Sequence, residues 1–447
     1  MAQGFYETNP PLSVLVYAPA FLLAQHGIMT LAHSILVYGL LLVGLSVVAT
    51  YKAITKWDFL SGVDKGVICA LLLLGGTIMT NPEFGQRDHL LALGAVPLCC
   101  VLLSRTWGFE SDRGWTLAIL VVGTLLLLLK PYYGLLPAFL MGHRMLTRRN
   151  FMAAFDYDFL IMAGVTVTYA LGLYVFFNDY LRLILPDLPY LYGATGARFK
   201  ATVILLCGFS WALLWAVTLH QGRTLRRVGL ARIMLTLAGF SFLIFLLMNK
   251  GYAYHLVPFQ LFMLIAAGLL LRAYTPWLVV ALVAGVLAFP KAYYPSPDFI
   301  KGQEVTRIVS ECGVDCRFLM LGPPVRAIQH VSYYAGKEHA SRFSKVWFIE
   351  GLLDREKKNS GLKETAILRQ KYSDMVAEDM GLYRPQIIFV CKNLTDTFAY
   401  LSQSPAFADQ IKAYRYERTV SFDTIAFFEK PGLQDFKKMP CDLYKRK

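Results

Sequence analysis

Charge is scarce in this chain. Only 17% of its 447 residues are Asp, Glu, Lys or Arg, against 56% hydrophobic residues. With a mean hydropathy of +0.47, that balance excludes an ordinary soluble protein of this length and points to several membrane spans. Negative charge is the scarcer sign, 30 acids against 44 bases, for a formal net charge of +14. No basic groove interleaved with aromatics accompanies the excess, which sets nucleic acid aside as a partner. In a membrane protein such charge reflects cytoplasmic Lys/Arg and contact with anionic lipid. The eight cysteines lack zinc-like spacing, with no CxxC and no paired HxxxH beside them. Internal repeats, low-complexity stretches and a signal-peptide pattern are also missing.

Long apolar runs fill the first two-thirds. Runs able to cross about 30 Å of hydrocarbon fall near 30–50, 66–80, 89–104, 115–130, 132–147, 158–177, 201–219, 232–249, 253–271 and 275–290. Several are short, so the pairs around 81–88 and 130–132 read as helices joined by very tight turns. The stretch PLSVLVYAPAFLLAQH (11–26) is too short to span and contains Pro19, which suits a helix lying in the membrane interface. Aromatics are abundant, with 25 Tyr, 30 Phe and 7 Trp, and Tyr and Trp suit that interface.

Lys/Arg bias orients the spans. The loops holding Lys52, Lys56, Lys65, Arg105, Arg113, Arg144, Arg148, Arg149, Arg223, Arg226, Arg227, Arg232 and Arg272 read as cytoplasmic. The alternate loops, 81–88, 130–132, 178–200 and 249–253, are less basic and read as outward. Residues 1–29 then lie outside as an outer loop with its interfacial helix, and 30–292 form a transmembrane domain of about ten spans. Residues 293–447 are charged and end the spanning pattern.

In that tail, RFLMLGPP (317–324), QIIFVCK (386–392) and DTIAFFEKP (423–431) read as strands, and 299–311 and 362–380 as helices. The alternation predicts a small α/β domain outside the membrane. Cys312, Cys316, Cys391 and Cys441 lie there and permit disulfides, with the pairing left open. Cys69, Cys99, Cys100 and Cys207 lie in apolar runs and read as small core residues.

The stretch NPEFGQRDHLL (81–91) stands out because it sets two carboxylates, a guanidinium and an imidazole between two greasy runs. Glu7, Glu83, Arg87, Asp88, His89, Lys130, Lys250 and His255 all fall on the outward face in this reading. Each alone reads equally well as an interfacial residue facing water or a headgroup. As a set they suit a phosphorylated substrate, with Lys or Arg on the phosphate and a carboxylate activating a hydroxyl. His330 and His339 read as structural. FNDYLRLILPDLPYLYG (177–193) reads as an aromatic belt or an acceptor path. Arg342 and Trp347 read as docking residues, and the sequon at Asn393 is discounted.

The run GFYETNPPLSVLVYAPAFLLAQ resembles the first outer loop of the GT-C glycosyltransferases that use lipid-linked sugars, among them the protein O-mannosyltransferases and the lipid A aminoarabinose transferases. Glu7, Pro10, Pro11 and Leu12 match, while Asn9 stands where that family often has lysine. FGQRDHLLALG resembles the family's Arg-x-Asp turn through Arg87 and Asp88, without the intervening residue. LLLLLKPYYGLLP resembles its helix ending in lysine, here Lys130. NKGYAYHLVP resembles its Lys-x-x-x-Tyr-x-x-x-Pro segment through Lys250, Tyr254 and Pro258. The likeness covers roughly 5–290, and it is the order of the motifs that carries it.

The resemblance implies a multi-span α-helical membrane protein with an extracytoplasmic C-terminal α/β domain. It implies transfer of a sugar from a polyprenyl-phosphate donor to a glycan, lipid or protein acceptor. Lys130, Lys250 and Arg87 would hold the donor phosphate, and Asp88 and Glu7 would be acid/base residues or ligands of a divalent metal, which the sequence does not demand. Glu83, His89, Tyr254 and His255 would line the pocket. Short loops lean toward a bacterial inner membrane with a periplasmic tail. In that family an acid just after a first transmembrane helix is the usual base, and this chain starts downstream of it. The expectation is that a first helix is missing here; otherwise Glu7 or Asp88 substitutes. A transporter of lipid-linked substrates and a non-catalytic scaffold are the other readings, though the acids cluster on one face and the two halves are unlike.

Overall fold

The structure, a computed structural model, describes residues 6, 8–80, 84–110, 112–191, 197–220, 226–248, 253–271, 301–322, 325–344, 346, 348–358, 362–391, 396–425 and 436–447. The chain divides into two compact units. One comprises Asn9–Phe176 and Thr195–Lys291; the other comprises Met1–Thr8, Phe177–Ala194 and Ala292–Lys447.

The first unit is helical. Two short helices, α1 (Leu12–Leu15) and α2 (Ala18–Gln25), precede α3 (Leu31–Ile54), α4 (Gly62–Leu74), α5 (Arg87–Thr106), α6 (Arg113–Leu127), α7 (Leu135–Arg148) and α8 (Tyr157–Phe176). After the second unit's insertion come α9 (Ala197–His220), α10 (Arg226–Met248) and α11 (Val257–Leu271). Among the described residues, four helices are long and apolar enough to cross a membrane: His33–Ile54, Arg87–Thr106, Tyr157–Phe176 and Arg226–Met248. Arg113–Leu127, Ile204–Leu219 and Tyr254–Leu270 are apolar but shorter. The ten runs read from the sequence therefore divide by length, and the run at 275–290 lies outside the described residues.

Helix α5 is the centre of this unit. It is apolar all round, and Leu90–Leu103 are buried without a break. It packs on α3, α6, α7 and α11. Small residues permit the closest approach: a Cβ on Gly123 would stand 3.2 Å from the Gly94 carbonyl oxygen, and one on Gly94 2.8 Å from Leu126. At the far end of α5 the buried Arg144 guanidinium donates to the Thr106 hydroxyl at 3.3 Å, the Leu102 carbonyl at 3.0 Å and Asp158 at 2.8 Å, and also pairs with Asp156. Every charge there is partnered, as burial requires. Helix α8 is the opposite of α5, with Leu160, Val167, Leu171, Tyr174 and Phe176 all exposed.

The second unit is an α/β domain. Its five strands, β1 (Arg317–Leu321), β2 (Glu338–His339), β3 (Ile387–Cys391), β4 (Tyr414–Ile425) and β5 (Phe436–Arg446), run in the order β2-β1-β3-β5-β4. β2 and β3 lie parallel to β1, while β5 is antiparallel to both β3 and β4. Successive side chains alternate faces. Leu319, Leu321, Ile388 and Val390 join one apolar cluster, and Phe318, Met320, Ile387 and Phe389 the other. Helices α12 (Glu304–Glu311) and α13 (Val325–Ala335) cover the second face. Helices α14 (Phe348–Lys357) and α15 (Leu362–Tyr383) cover the first, after which the short α16 (Thr397–Leu401) and α17 (Pro405–Ile411) lead into β4.

The expected strands at 317–324 and 386–392 are β1 and β3, and the expected helices at 299–311 and 362–380 are represented by α12 and α15. The strand expected at 423–431 begins nine residues earlier as β4, and its portion beyond 425 lies outside the described residues. Two disulfides close the open pairing, Cys312–Cys316 and Cys391–Cys441. The second joins residues directly opposite one another in β3 and β5. The four cysteines of the helical unit are free thiols.

Candidate active site

The turn before α5 explains the charged stretch at 84–91. Gly85 has φ +76°, a left-handed conformation natural to glycine. Its N–H donates to His89 Nδ1 at 3.0 Å, and the His89 ring packs on Phe84 at 5.0 Å. His89 thus folds back from the first turn of the helix and closes the loop. It is fully buried. That contact brings Arg87 and Asp88 to the first turn of α5, where the partial positive charge of the helix end favours a carboxylate.

Asp88 is wholly buried and does not stand alone. Lys130 Nζ lies 2.8 Å from its Oδ1 and 2.6 Å from its Oδ2. His255 Nδ1 lies 3.2 Å from Asp88 Oδ1 and 2.7 Å from Lys130 Nζ. The three groups come from positions 42 and 167 residues apart in sequence from Asp88. Each is delivered by a helix boundary: Asp88 by the start of α5, Lys130 by the short 3-10 turn after α6, and His255 by the 3-10 turn before α11. Pro131 opens the turn after Lys130 and stops α6 from continuing. A buried carboxylate and a buried ammonium are tolerable because each neutralises the other.

Aromatic residues surround this triad. Lys130 Nζ sits 5.3 Å from the Tyr254 ring centroid, within cation–π range. Tyr254 packs on His255 at 4.2 Å between ring centroids. The Tyr133 hydroxyl donates to the His255 carbonyl at 3.3 Å. Tyr17, between α1 and α2, donates to the Gly85 carbonyl at 2.6 Å and lies within electrostatic reach of Arg87 and Asp88. Tyr17 and Tyr133 were not among the residues singled out in the sequence. An aromatic in an apolar run carries no signal there beyond packing, although Tyr133 adjoins the Lys130 motif.

The structure therefore brings together Asp88, Lys130, His255 and Tyr254, with Arg87 and His89 on the same helix turn. Glu7, Glu83 and Lys250 lie outside the described residues. Among the described residues no three His, Cys, Asp or Glu side chains gather as a metal-ligand set. Asp88 and His255 supply two donors, and the Lys130 ammonium between them opposes a cation, so no step is assigned to a metal. His339, in the other unit, accepts the Met320 N–H at its Nε2 at 3.2 Å and caps the edge of β1 beyond the two-residue β2. It serves the sheet.

Comparison with protein-family models, with curated proteins and with solved structures finds no match for this chain.

Proposed function

We propose that this chain is an integral-membrane glycosyltransferase of the GT-C kind, moving a sugar from a polyprenyl-phosphate donor to an acceptor on the extracytoplasmic side. The observation that carries the reading is the buried Asp88–Lys130–His255 cluster at one end of a long apolar helix. A second buried charge cluster, around Arg144, contacts Thr106 at the other end of the same helix. From residue 88 to 106 at 1.5 Å per residue is about 27 Å, close to a hydrocarbon thickness. The charges thus suit the two membrane faces, with Arg144 among the basic loops read as cytoplasmic. Two disulfides in the α/β unit suit an oxidising compartment, such as a bacterial periplasm.

In this reading an acceptor oxygen attacks the anomeric carbon of the donor. The carbon–oxygen bond to the lipid phosphate breaks, and its electron pair leaves with the phosphate. One displacement inverts the anomeric centre. Charge builds on the departing phosphate, and Lys130 is the described cation that would meet it, joined by Arg87 on the adjoining helix turn. Asp88 is engaged by Lys130, so its part is to hold that ammonium in place. The acceptor proton passes to water on the extracytoplasmic side. Tyr254 and His255 would fix the lysine from its other side.

The test uses the full chain in lipid nanodiscs with a polyprenyl-phosphate sugar, following release of polyprenyl phosphate. Lys130→Met together with Asp88→Asn removes both charges while keeping volume. Transfer should fall by about 10²–10³, the usual loss of one electrostatic contact in an active site, with helicity unchanged. Undiminished transfer by the folded double variant would refute the assignment.

A further inference from the structure

Lys130 has its partners already. An ammonium carries three protons and no lone pair. Three acceptor atoms stand against this one: Asp88 Oδ1 at 2.8 Å, Asp88 Oδ2 at 2.6 Å and His255 Nδ1 at 2.7 Å. An incoming anion must therefore take the place of one of them.

The distances also fix which nitrogen of His255 carries the proton. Nδ1 lies 3.2 Å from Asp88 Oδ1 as well as 2.7 Å from Lys130 Nζ. It cannot donate to the carboxylate and accept from the ammonium at once. Were it protonated, its N–H would face the ammonium's own protons across the shorter contact. Nδ1 therefore holds a lone pair that accepts from Lys130, and the ring proton sits on Nε2. That lone pair also faces Asp88 Oδ1, acceptor against acceptor, which weakens its hold.

The partners differ in strength. Asp88 meets the ammonium with a full negative charge, whereas the imidazole is neutral, so its bond is the weaker. His255 is thus the partner to be exchanged. Its backbone is fixed: the Tyr133 hydroxyl donates to its carbonyl at 3.3 Å, and the 3-10 turn Ala253–Leu256 leads directly into α11. The imidazole alone has to turn.

We propose that His255 is a placeholder for a phosphoryl oxygen. The phosphate of the polyprenyl donor takes the position of Nδ1 on Lys130 and the imidazole turns away, while Asp88 keeps the ammonium in place. This rests on the transferase reading and states how its donor enters. His255 is a positioning residue that acts through Lys130: it keeps a buried donor satisfied until the phosphate arrives, since an orphaned buried N–H is costly. An anionic oxygen outcompetes the neutral imidazole and an uncharged lipid oxygen does not, so the exchange selects lipids by charge.

The experiment uses the full chain in phosphatidylcholine nanodiscs with polyprenyl phosphate as the probe. His255→Phe keeps a ring and deletes the lone pair; His255→Asn carries an amide oxygen in place of Nδ1. His255→Phe should bind polyprenyl phosphate about tenfold more tightly than wild type, the worth of one uncontested charge-assisted hydrogen bond. His255→Asn should bind it as wild type does. Unchanged or weaker binding by folded His255→Phe overturns the proposal, because a residue that merely supports the site would lose affinity when replaced. A gain for inorganic phosphate without one for polyprenyl phosphate also overturns it. Nitrogen-15 spectra of the wild-type histidines give a second reading that needs no folded variant. His255 Nδ1 should be unprotonated, and its signal should move toward that of a free imidazole nitrogen as polyprenyl phosphate is added. A proton on Nδ1, or no movement at saturation, overturns the exchange. Wild-type protein that binds no polyprenyl phosphate counts against the transferase reading, and the exchange falls with it; binding without a gain in His255→Phe counts against the exchange alone.

Discussion

Lys130 Nζ lies 2.6 Å from Asp88 Oδ2, and both side chains are buried. Such a pair makes a sharp energetic statement. Two ions taken from water gain little net stability from each other, but one left behind alone is costly.

Lys130→Met alone should therefore destabilise the helical unit by about 3–5 kcal/mol, and Asp88→Asn in the same background should restore most of it. Thermal melts in detergent check this. Additive losses would show that the two groups are not coupled.

Close packing of α5 on α6 sets a second expectation. Gly94→Ala places a methyl 2.8 Å from Leu126 atoms, whereas Gly164→Ala on exposed α8 meets nothing within 4 Å. Overpacking costs about 1–3 kcal/mol, so the first variant should melt lower than wild type. The second should be neutral or slightly more stable.

Tail stability should depend on pH through His339. Burial pushes its imidazole down from 6.5 to about 4, and its Nε2 accepts the Met320 N–H only when unprotonated. The unfolded chain binds a proton that the folded one refuses. Its stabilising contribution is thus complete above about pH 6.5 and is lost as pH falls toward 4, on the order of 3 kcal/mol in all. His339→Gln should flatten that part of the stability profile of the full chain, read by hydrogen exchange of β1.

Disulfide chemistry gives a direct count. Denatured, unreduced protein should react with maleimide at four thiols, and reduced protein at all eight. Losing the Cys391–Cys441 bridge, which closes a separation of 50 residues, should cost more than losing Cys312–Cys316, which closes 4; by loop entropy the former is worth about 3–4 kcal/mol.

What could be read in advance followed the range of the interactions. β1 and β3 are continuous apolar runs, and α15 has helical spacing, so local pattern reveals them. Most of β4 and β5 was not legible: YRYERTVSFDTI and FKKMPCDLYKR mix charge into strands whose pairing partner supplies the apolar context. Asp88, Lys130 and His255 stand out singly because charge is rare in such a chain. Their union depends on three helix boundaries, and no spacing encodes it. The Cys391–Cys441 bridge likewise required the register of β3 against β5. Tyr6 and residues 177–191 gave no hint of belonging to the tail, because a docking contact between distant segments has no period.

The hydrogen bond from the Tyr6 N–H to the Arg342 carbonyl, within the α/β unit, also sets a timetable. Tyr6 leaves the ribosome well before its partner, which follows 336 positions later. At about 5–20 residues per second that interval is roughly 17–67 seconds. Throughout it, an aromatic residue destined for a buried site has nowhere of its own to go, and it must wait for a partner synthesised far behind it.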